Sequence, residues 1–311
     1  MQVVEVDART ASAGVLDRLV AIEHACWPET DPGEPLRSPS ESAAYYRHQP
    51  TSHTTCHWLC DGGFAQLTVH GPTAAFVRPL VAPAERRRGI GSALLDAVVA
   101  RCRELDVRAL HSSYTTDAGA AFAARHGFVD GQRIVRSLLD LRAAEPAEPH
   151  SPAGWELVTW LGRVPDERLD AFVLARAAMD DAPASENLDY PAWTAEQIRA
   201  SEESLALRDR EMRLTVALAP SGEIGAFTEL RVSRGSTLGF TDDTGTVAAR
   251  RGLGLARAVK LESLRRLRRD HPEVVLVTTS NAEENAVMRH INQSIGFRPS
   301  AVQTTTTLAL P

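Results

Sequence analysis

One short pattern occurs twice in this chain, and it constrains the fold more than any other feature. Arg86-Arg87-Arg88-Gly89-Ile90-Gly91 fits Arg-x-x-Gly-x-(Gly/Ala), and so does Arg251-Gly252-Leu253-Gly254-Leu255-Ala256. Gly89 and Gly254 stand 165 residues apart. A Gly-Phe pair follows each pattern, at Gly127-Phe128 and Gly296-Phe297, 169 residues apart. Two landmarks in the same order at nearly equal offsets make the chain two copies of one domain. The 311 residues agree with that count, since a domain takes roughly 150. Between the copies, Arg142–Pro152 holds three prolines and little apolar content, as a linker does. The domains are therefore expected at 1–142 and 155–311, with the linker at 143–154.

Each copy alternates strands and helices, which implies an α/β or α+β sheet. In the first, a strand at Ala74–Val81 enters the glycine loop. A helix follows, with Leu94, Leu95, Val98, Val99 and Cys102 in one apolar stripe. A strand at Val107–Tyr114, a helix at Ala118–His126 and a closing strand at Ser137–Leu141 complete the copy. In the second, Trp155–Val158 opens the sheet. The helix after its loop carries Leu255, Val259, Leu261, Leu264 and Leu267 on one face and Arg257, Lys260, Arg265, Arg268 and Arg269 on the other. A strand at Val274–Thr278, a helix at Glu283–Ser294 and a closing strand at Thr304–Leu310 follow.

A strand–loop–helix junction rich in glycine presents backbone N–H groups at a helix N-terminus, where the helix dipole also favours an anion. Glycine permits positive φ and close approach, so the loops suit a phosphate or pyrophosphate. No Gly-Lys-(Ser/Thr) closes either loop as in a P-loop. Neither copy has the Gly-x-Gly-x-x-Gly with a later acidic residue that a dinucleotide fold requires.

The strand, the Arg-x-x-Gly-x-(Gly/Ala) loop, the helix and the later Gly-Phe resemble the GNAT superfamily of acyl-CoA-dependent N-acetyltransferases. The second copy adds Asp243-Thr244, Lys260, Thr279-Ser280-Asn281, Asn285, Met288, Asn292 and Gly296-Phe297, and is similar to the tandem GNAT proteins of actinomycetes. The resemblance implies two tandem domains, each a mixed, mostly antiparallel sheet flanked by helices. It implies acetyl-CoA as co-substrate and direct attack by a primary amine of a small molecule. Coenzyme A pyrophosphate would fall to Arg86, Arg87, Arg88, Gly89, Ile90 and Gly91, and to Arg251, Gly252, Leu253, Gly254, Leu255 and Ala256. Pantetheine would pair with Leu80 and Val81 or with Thr246 and Val247, and Asn281 or Asn285 would contact the coenzyme. As residues, Asn281 and Glu284 also fit a variant of the capping box at a helix start.

Amine attack needs a proton acceptor, and the leaving thiolate needs a donor. The family often supplies a tyrosine four residues before the Gly of Gly-Phe. Here those positions are Ala123 and Asn292. Tyr114, Asp243 and Glu229 are the candidate substitutes, and the second copy is expected to be the working one. The missing tyrosines leave a non-catalytic acyl-CoA-binding or scaffold protein as an alternative. Mycothiol-synthase-like chemistry and aminoacyl transfer are others.

Composition narrows the setting. Hydrophobic residues make up 43% and charged residues 24%, ordinary for a globular chain. No apolar run reaches the roughly 18–20 residues of a membrane helix, and the N-terminus lacks the basic start of a signal peptide. A cytoplasmic protein with no membrane partner is expected, as monomer or homodimer. The net charge of −6 argues against a nucleic-acid partner. His53, Cys56, His57 and Cys60 are metal-ligand types, but strand alternation splits them between faces, so no metal is expected. Arg265–Arg269 reads as a solvated face or coenzyme rim, and Asp180, Asp181, Glu186 and Asp189 as an acidic segment able to attract a cationic amine.

Overall fold

The structure is a computed structural model that describes all residues except 1, 50–53, 70, 72, 144–146 and 180–192. His53 and the acidic segment of Asp180, Asp181, Glu186 and Asp189 lie outside the described residues, as do Glu145 and Pro146 of the linker. The elements run β1 (Val4–Val6), α1 (Ala13–Thr30), α2 (Pro39–Arg47), β2 (Thr54–Cys60), β3 (Gly63–Val69), β4 (Ala74–Val81), α3 (Ile90–Glu104), β5 (Ala109–Tyr114), α4 (Asp117–Arg125) and β6 (Val129–Asp140). There follow β7 (Glu156–Leu161), α5 (Leu169–Arg176), α6 (Ala195–Leu207), β8 (Arg210–Leu218), β9 (Ile224–Ser233), β10 (Leu238–Thr246), α7 (Leu255–Asp270), β11 (Leu276–Ala282), α8 (Ala286–Ser294) and β12 (Arg298–Ala309). Among the described residues no helix is long and apolar enough to cross a membrane.

Helix starts follow local chemistry. The Thr116 side chain accepts from the Gly119 amide at 3.1 Å and starts α4. Thr194 and Gln197 form a reciprocal capping box at α6. The Asn285 side chain accepts from the Met288 amide at 3.0 Å and starts α8. The expected cap at Asn281 is thus displaced: Asn281 lies inside β11, and the helix begins at Ala286 rather than Glu283. Capping chemistry is right for both asparagines, and tertiary pairing of β11 decides which one uses it.

The chain forms two compact units, comprising the described residues of Met1–Ile134 with Ala301–Pro311, and of Val135–Ala184 with Ala192–Ser300. In the first unit the sheet order is β1-β2-β3-β4-β5-β12. Strands β2, β3 and β4 pair antiparallel, β4 pairs β5 in parallel, and α3 makes the crossover. In the second unit the order is β6-β11-β10-β9-β8-β7, with β10 and β11 parallel across α7. The closing strands do not stay with their own copies. Residues 304–309 of β12 pair antiparallel with β5, Thr304 opposite Tyr114 and Ala309 opposite Ala109. The last residues of β6 belong to the second unit, where the Leu141 amide donates to the Val275 carbonyl at 2.9 Å. A repeat in the sequence does not specify which sheet edge a terminal strand will join.

Each unit has a core on both faces of its sheet. In the first, Leu94, Leu95, Val98 and Cys102 of α3 pack on Ala75 and Val77, while Leu19, Tyr46 and Phe64 pack on the opposite face. In the second, Phe172 and Phe227 form the α5 side, with Ala226 and Val259 on the α7 side. Burying each such side chain stabilises the fold by about 1.5–3 kcal/mol. The alternation along β9 sends Phe227 and Glu229 toward α5, and Ala226, Thr228 and Leu230 toward α7.

Candidate active site

Parallel pairing of β10 with β11 runs from Leu238–Leu276 to Thr241–Thr279. Beyond it lies a cavity of about 160 Å³, lined by Asp242, Asp243 and Thr244 of β10, Lys260 of α7 and Thr279–Ala282 of β11. Met179, Asn285 and Met288 complete its wall. In the first unit β4 pairs with β5 only over Ala74–Phe76, and the Ser112 hydroxyl donates across to the Val77 carbonyl at 2.9 Å.

Two of the three candidate catalytic residues come together here. The register of β10 against β9 shifts between Thr241 and Thr244. Such a bulge lets consecutive residues share one face, and both aspartates meet arginines on the α5 side. Asp243 pairs with Arg176, and Asp242 with Arg231. Glu229 accepts from Arg231 Nε at 2.6 Å and lies 3.6 Å from Arg176 Nη1. Arg176 is 4% exposed and stacks 4.0 Å from the Trp193 ring. Three carboxylates face two guanidinium groups, which leaves one negative charge in excess. Burial, and then the neighbouring Asp242 charge, push the Asp243 carboxyl up to about 6, against the pull of Arg176. Tyr114 belongs to the first unit, where its hydroxyl donates to Asp130 Oδ2 at 2.8 Å. Burial and that carboxylate raise its pKa, which keeps the phenol protonated.

The same cavity holds a residue that sequence reasoning put on the wrong face. Lys260 is 3% exposed, and burial lowers its ammonium to about 7. The signal was available: Lys260 lies four residues from both Ala256 and Leu264, on the buried stripe. Asn292, at the family's usual tyrosine position, is buried and donates to Asn281 Oδ1 at 2.6 Å.

The loops resolve into distinct parts. Gly89 and Gly254 cap α3 and α7 with φ of 82° and 78°, and no side chain caps either helix. A Cβ on Gly89, Gly252 or Gly254 would meet nothing within 4 Å. Their left-handed backbone and an open approach, not crowding by the protein, therefore call for glycine. Those open amide ends fit a pyrophosphate. Gly91 differs, since a Cβ there would lie 2.9 Å from the Phe122 ring. Ile90, Leu255 and Ala256 are buried and anchor the first turns, whereas Leu253 is exposed.

The arginines expected to supply charge for phosphate are largely engaged already. Arg86 donates to Glu29 at 2.6 Å and to the Val81 carbonyl at 3.2 Å. Arg251 donates to the Thr246 carbonyl at 3.4 Å, also five residues back. The motif arginine thus ties each loop to the end of its strand. Arg88 pairs with Glu85 at 2.6 Å. Arg250 makes a bidentate pair with Glu223 at 2.8 and 2.9 Å. Arg87 is exposed, with φ 65°. Leu80 packs in the core, while Thr246 and Val247 lead from β10 into the loop, with the Val247 amide on the Gly225 carbonyl at 3.0 Å.

The remaining charged and sulfur residues are accounted for locally. Arg265 and Arg266 both pair with Glu262, Arg269 pairs with Asp270, and Arg268 donates to the Leu141 carbonyl. Cys56, Trp58 and Cys60 pack in the α3-side core, and His57 faces the Tyr46 ring at 5.9 Å. Among the described residues no group of three His, Cys, Asp or Glu is placed to hold a metal ion.

Comparison with known proteins follows the same lines. Residues 16–128 match the acetyltransferase (GNAT) family. A mycothiol acetyltransferase of Cellulomonas flavigena is 29% identical, over 77% of this chain and 69% of its own length. One of Nocardia farcinica is 28% identical, over 77% of each. The structure of a tandem GNAT protein from the clavulanic acid biosynthesis pathway superposes with a TM-score of 0.85 at 25% identity, covering 100% of this chain and 98% of the other.

Proposed function

We propose that this chain, a member of the GNAT acetyltransferase family, moves an acetyl group from acetyl-CoA to a primary amine of a small molecule in the cleft between β10 and β11. The observation that carries the reading is Asp243: a carboxylate that lines the cavity and pairs with Arg176, and that burial and the Asp242 charge push up to about 6. At neutral pH it is ionised and able to take a proton from the attacking nitrogen. Glu229 is held by two arginines and serves to fix their guanidinium groups. The excess negative charge also favours a cationic amine at the entrance. The open amides of Gly254, Leu255 and Ala256 would hold the coenzyme pyrophosphate, and Asn281 and Asn285 line the cavity beside the acyl end. The likeness to mycothiol acetyltransferases favours a mycothiol-type amine as acceptor.

Acetyl-CoA is expected to raise Tm, and thiol release over an amine panel is expected to find a substrate. Binding without release on a broad panel would make the protein a coenzyme-binding module, and no binding would remove the reading. Tyr114→Phe is expected to leave thiol release within about twofold. It removes one exposed hydrogen bond, worth about 1 kcal/mol of stability, which a denaturant midpoint would read.

A further inference from the structure

Lys260 is the chain's single lysine, and its surroundings do not explain it as a structural residue. An ammonium carries three donors. Among the described residues, Nζ makes one long hydrogen bond, 3.4 Å to Thr244 Oγ1, and lies 5.7 Å from the Phe297 ring. Among the described residues no carboxylate pairs with it. A buried, unpaired charge opposes folding, so a fold that keeps one gains something other than stability.

Its place in the cavity indicates what is gained. Asp243 points to the α5 side of the sheet, where it meets Arg176, while the next residue, Thr244, points to the α7 side, where it meets Lys260. Both Asp243 and Lys260 line the one cavity. The cavity therefore passes between the two faces where β10 and β11 stop pairing, with a proton acceptor on one side and a proton donor on the other. Asn292 has no acidic hydrogen to give, and its amide is committed to Asn281.

We propose that Lys260 is the general acid of acetyl transfer, donating its Nζ proton to the departing coenzyme A thiolate. The inference rests on the acetyl-transfer reading above. The amine nitrogen bonds to the thioester carbonyl carbon, the C–S bond breaks, and its electron pair leaves on sulfur. Sulfur takes the Lys260 proton, and Asp243 takes one from the nitrogen. Solvent then restores both groups, so amine and thioester become amide and thiol with no net change in protons.

Among the described residues few charged groups lie around the cavity, and Arg176 of α5 is paired with Asp243. β10 presents Asp242 and Asp243, β9 carries Glu229 and Arg231 paired together, and β11 and α8 contribute only Thr279, Ser280, Ala282, Asn281, Asn285 and Met288 to the cavity. Burial alone lowers the ammonium to about 7. Activity should then fall as pH drops below about 6, where Asp243 protonates, and as pH rises beyond about 7, where Lys260 loses its proton.

Two measurements test the role. Ultraviolet titration of bound coenzyme A reads its thiol directly and needs no acceptor. The wild type is expected to lower the bound thiol pKa by a unit or more relative to Lys260→Met. In turnover, Lys260→Met is expected to lower kcat about 100-fold, leave KM for acetyl-CoA within threefold, and abolish the alkaline limb. Lys260→Arg keeps the charge but not a releasable proton, and is expected to be equally slow. Lys260→Met should also raise Tm, which separates lost chemistry from lost folding. An unshifted bound thiol, or a Lys260→Met kcat within threefold of wild type, would overturn the role while leaving acetyl transfer intact. Failure of coenzyme A to bind would overturn both.

Discussion

Asp243→Asn lowers kcat for amine acetylation by about 10²–10⁴-fold, the usual worth of a positioned general base. The amide oxygen can still accept from Arg176, so KM for acetyl-CoA changes little. The acid limb near pH 6 disappears with the carboxylate, and a pH–rate profile of the variant checks this. The same group affects stability with a definite sign. Its folded pKa of about 6 exceeds the ordinary 3.8, so between those values the folded state binds more protons. Its contribution is present below about 4, is lost as pH rises through 6, and does not change above that. Lys260 works in the opposite window. Its folded pKa of about 7 lies below the ordinary 10.5, so the unfolded state binds more protons between them and stability rises over that range.

Gly254→Glu abolishes transfer by expelling the coenzyme pyrophosphate, with acetyl-CoA affinity reduced 100-fold or more, about 2.7 kcal/mol. The new side chain enters open space. Its left-handed backbone costs about 1–2 kcal/mol, and a carboxylate at a helix N-terminus returns about 0.3–1 kcal/mol. The fold survives that difference, so lost binding reports the loop and not unfolding. Gly89→Glu has the same backbone strain and the same open approach, and is expected to leave turnover intact. Isothermal titration and thiol release on both variants check the pair. The reverse outcome would move the working cleft to the first unit.

Much of the scaffold was legible because its signals are local. The stripe Leu94, Leu95, Val98 and Cys102 became the buried face of α3, and Ala74–Val81 became β4 without adjustment. The glycine patterns fell at strand-to-helix junctions with positive φ, as the need for open amides required. Site chemistry was less legible. Adjacent aspartates in a regular strand point to opposite faces, and only the bulge between Thr241 and Thr244 brings Asp242 and Asp243 to the same arginines. The Arg86 charge looked available for phosphate, but Glu29, 57 residues away along the chain, pairs with it. No spacing rule couples a carboxylate and an arginine that far apart along the chain.

By itself the sequence determined the repeat, the order of elements in each copy, and the two loops, since periodicity and glycine act within a few residues along the chain. The tertiary structure decided which sheet edge β12 joins, that Lys260 is buried, and that burial and the Asp242 charge push the Asp243 carboxyl up. Those outcomes depend on desolvation and on partners distant along the chain, such as Arg176, 67 residues from Asp243. Burial and through-space charge set proton affinity, and neither quantity exists until the chain has folded.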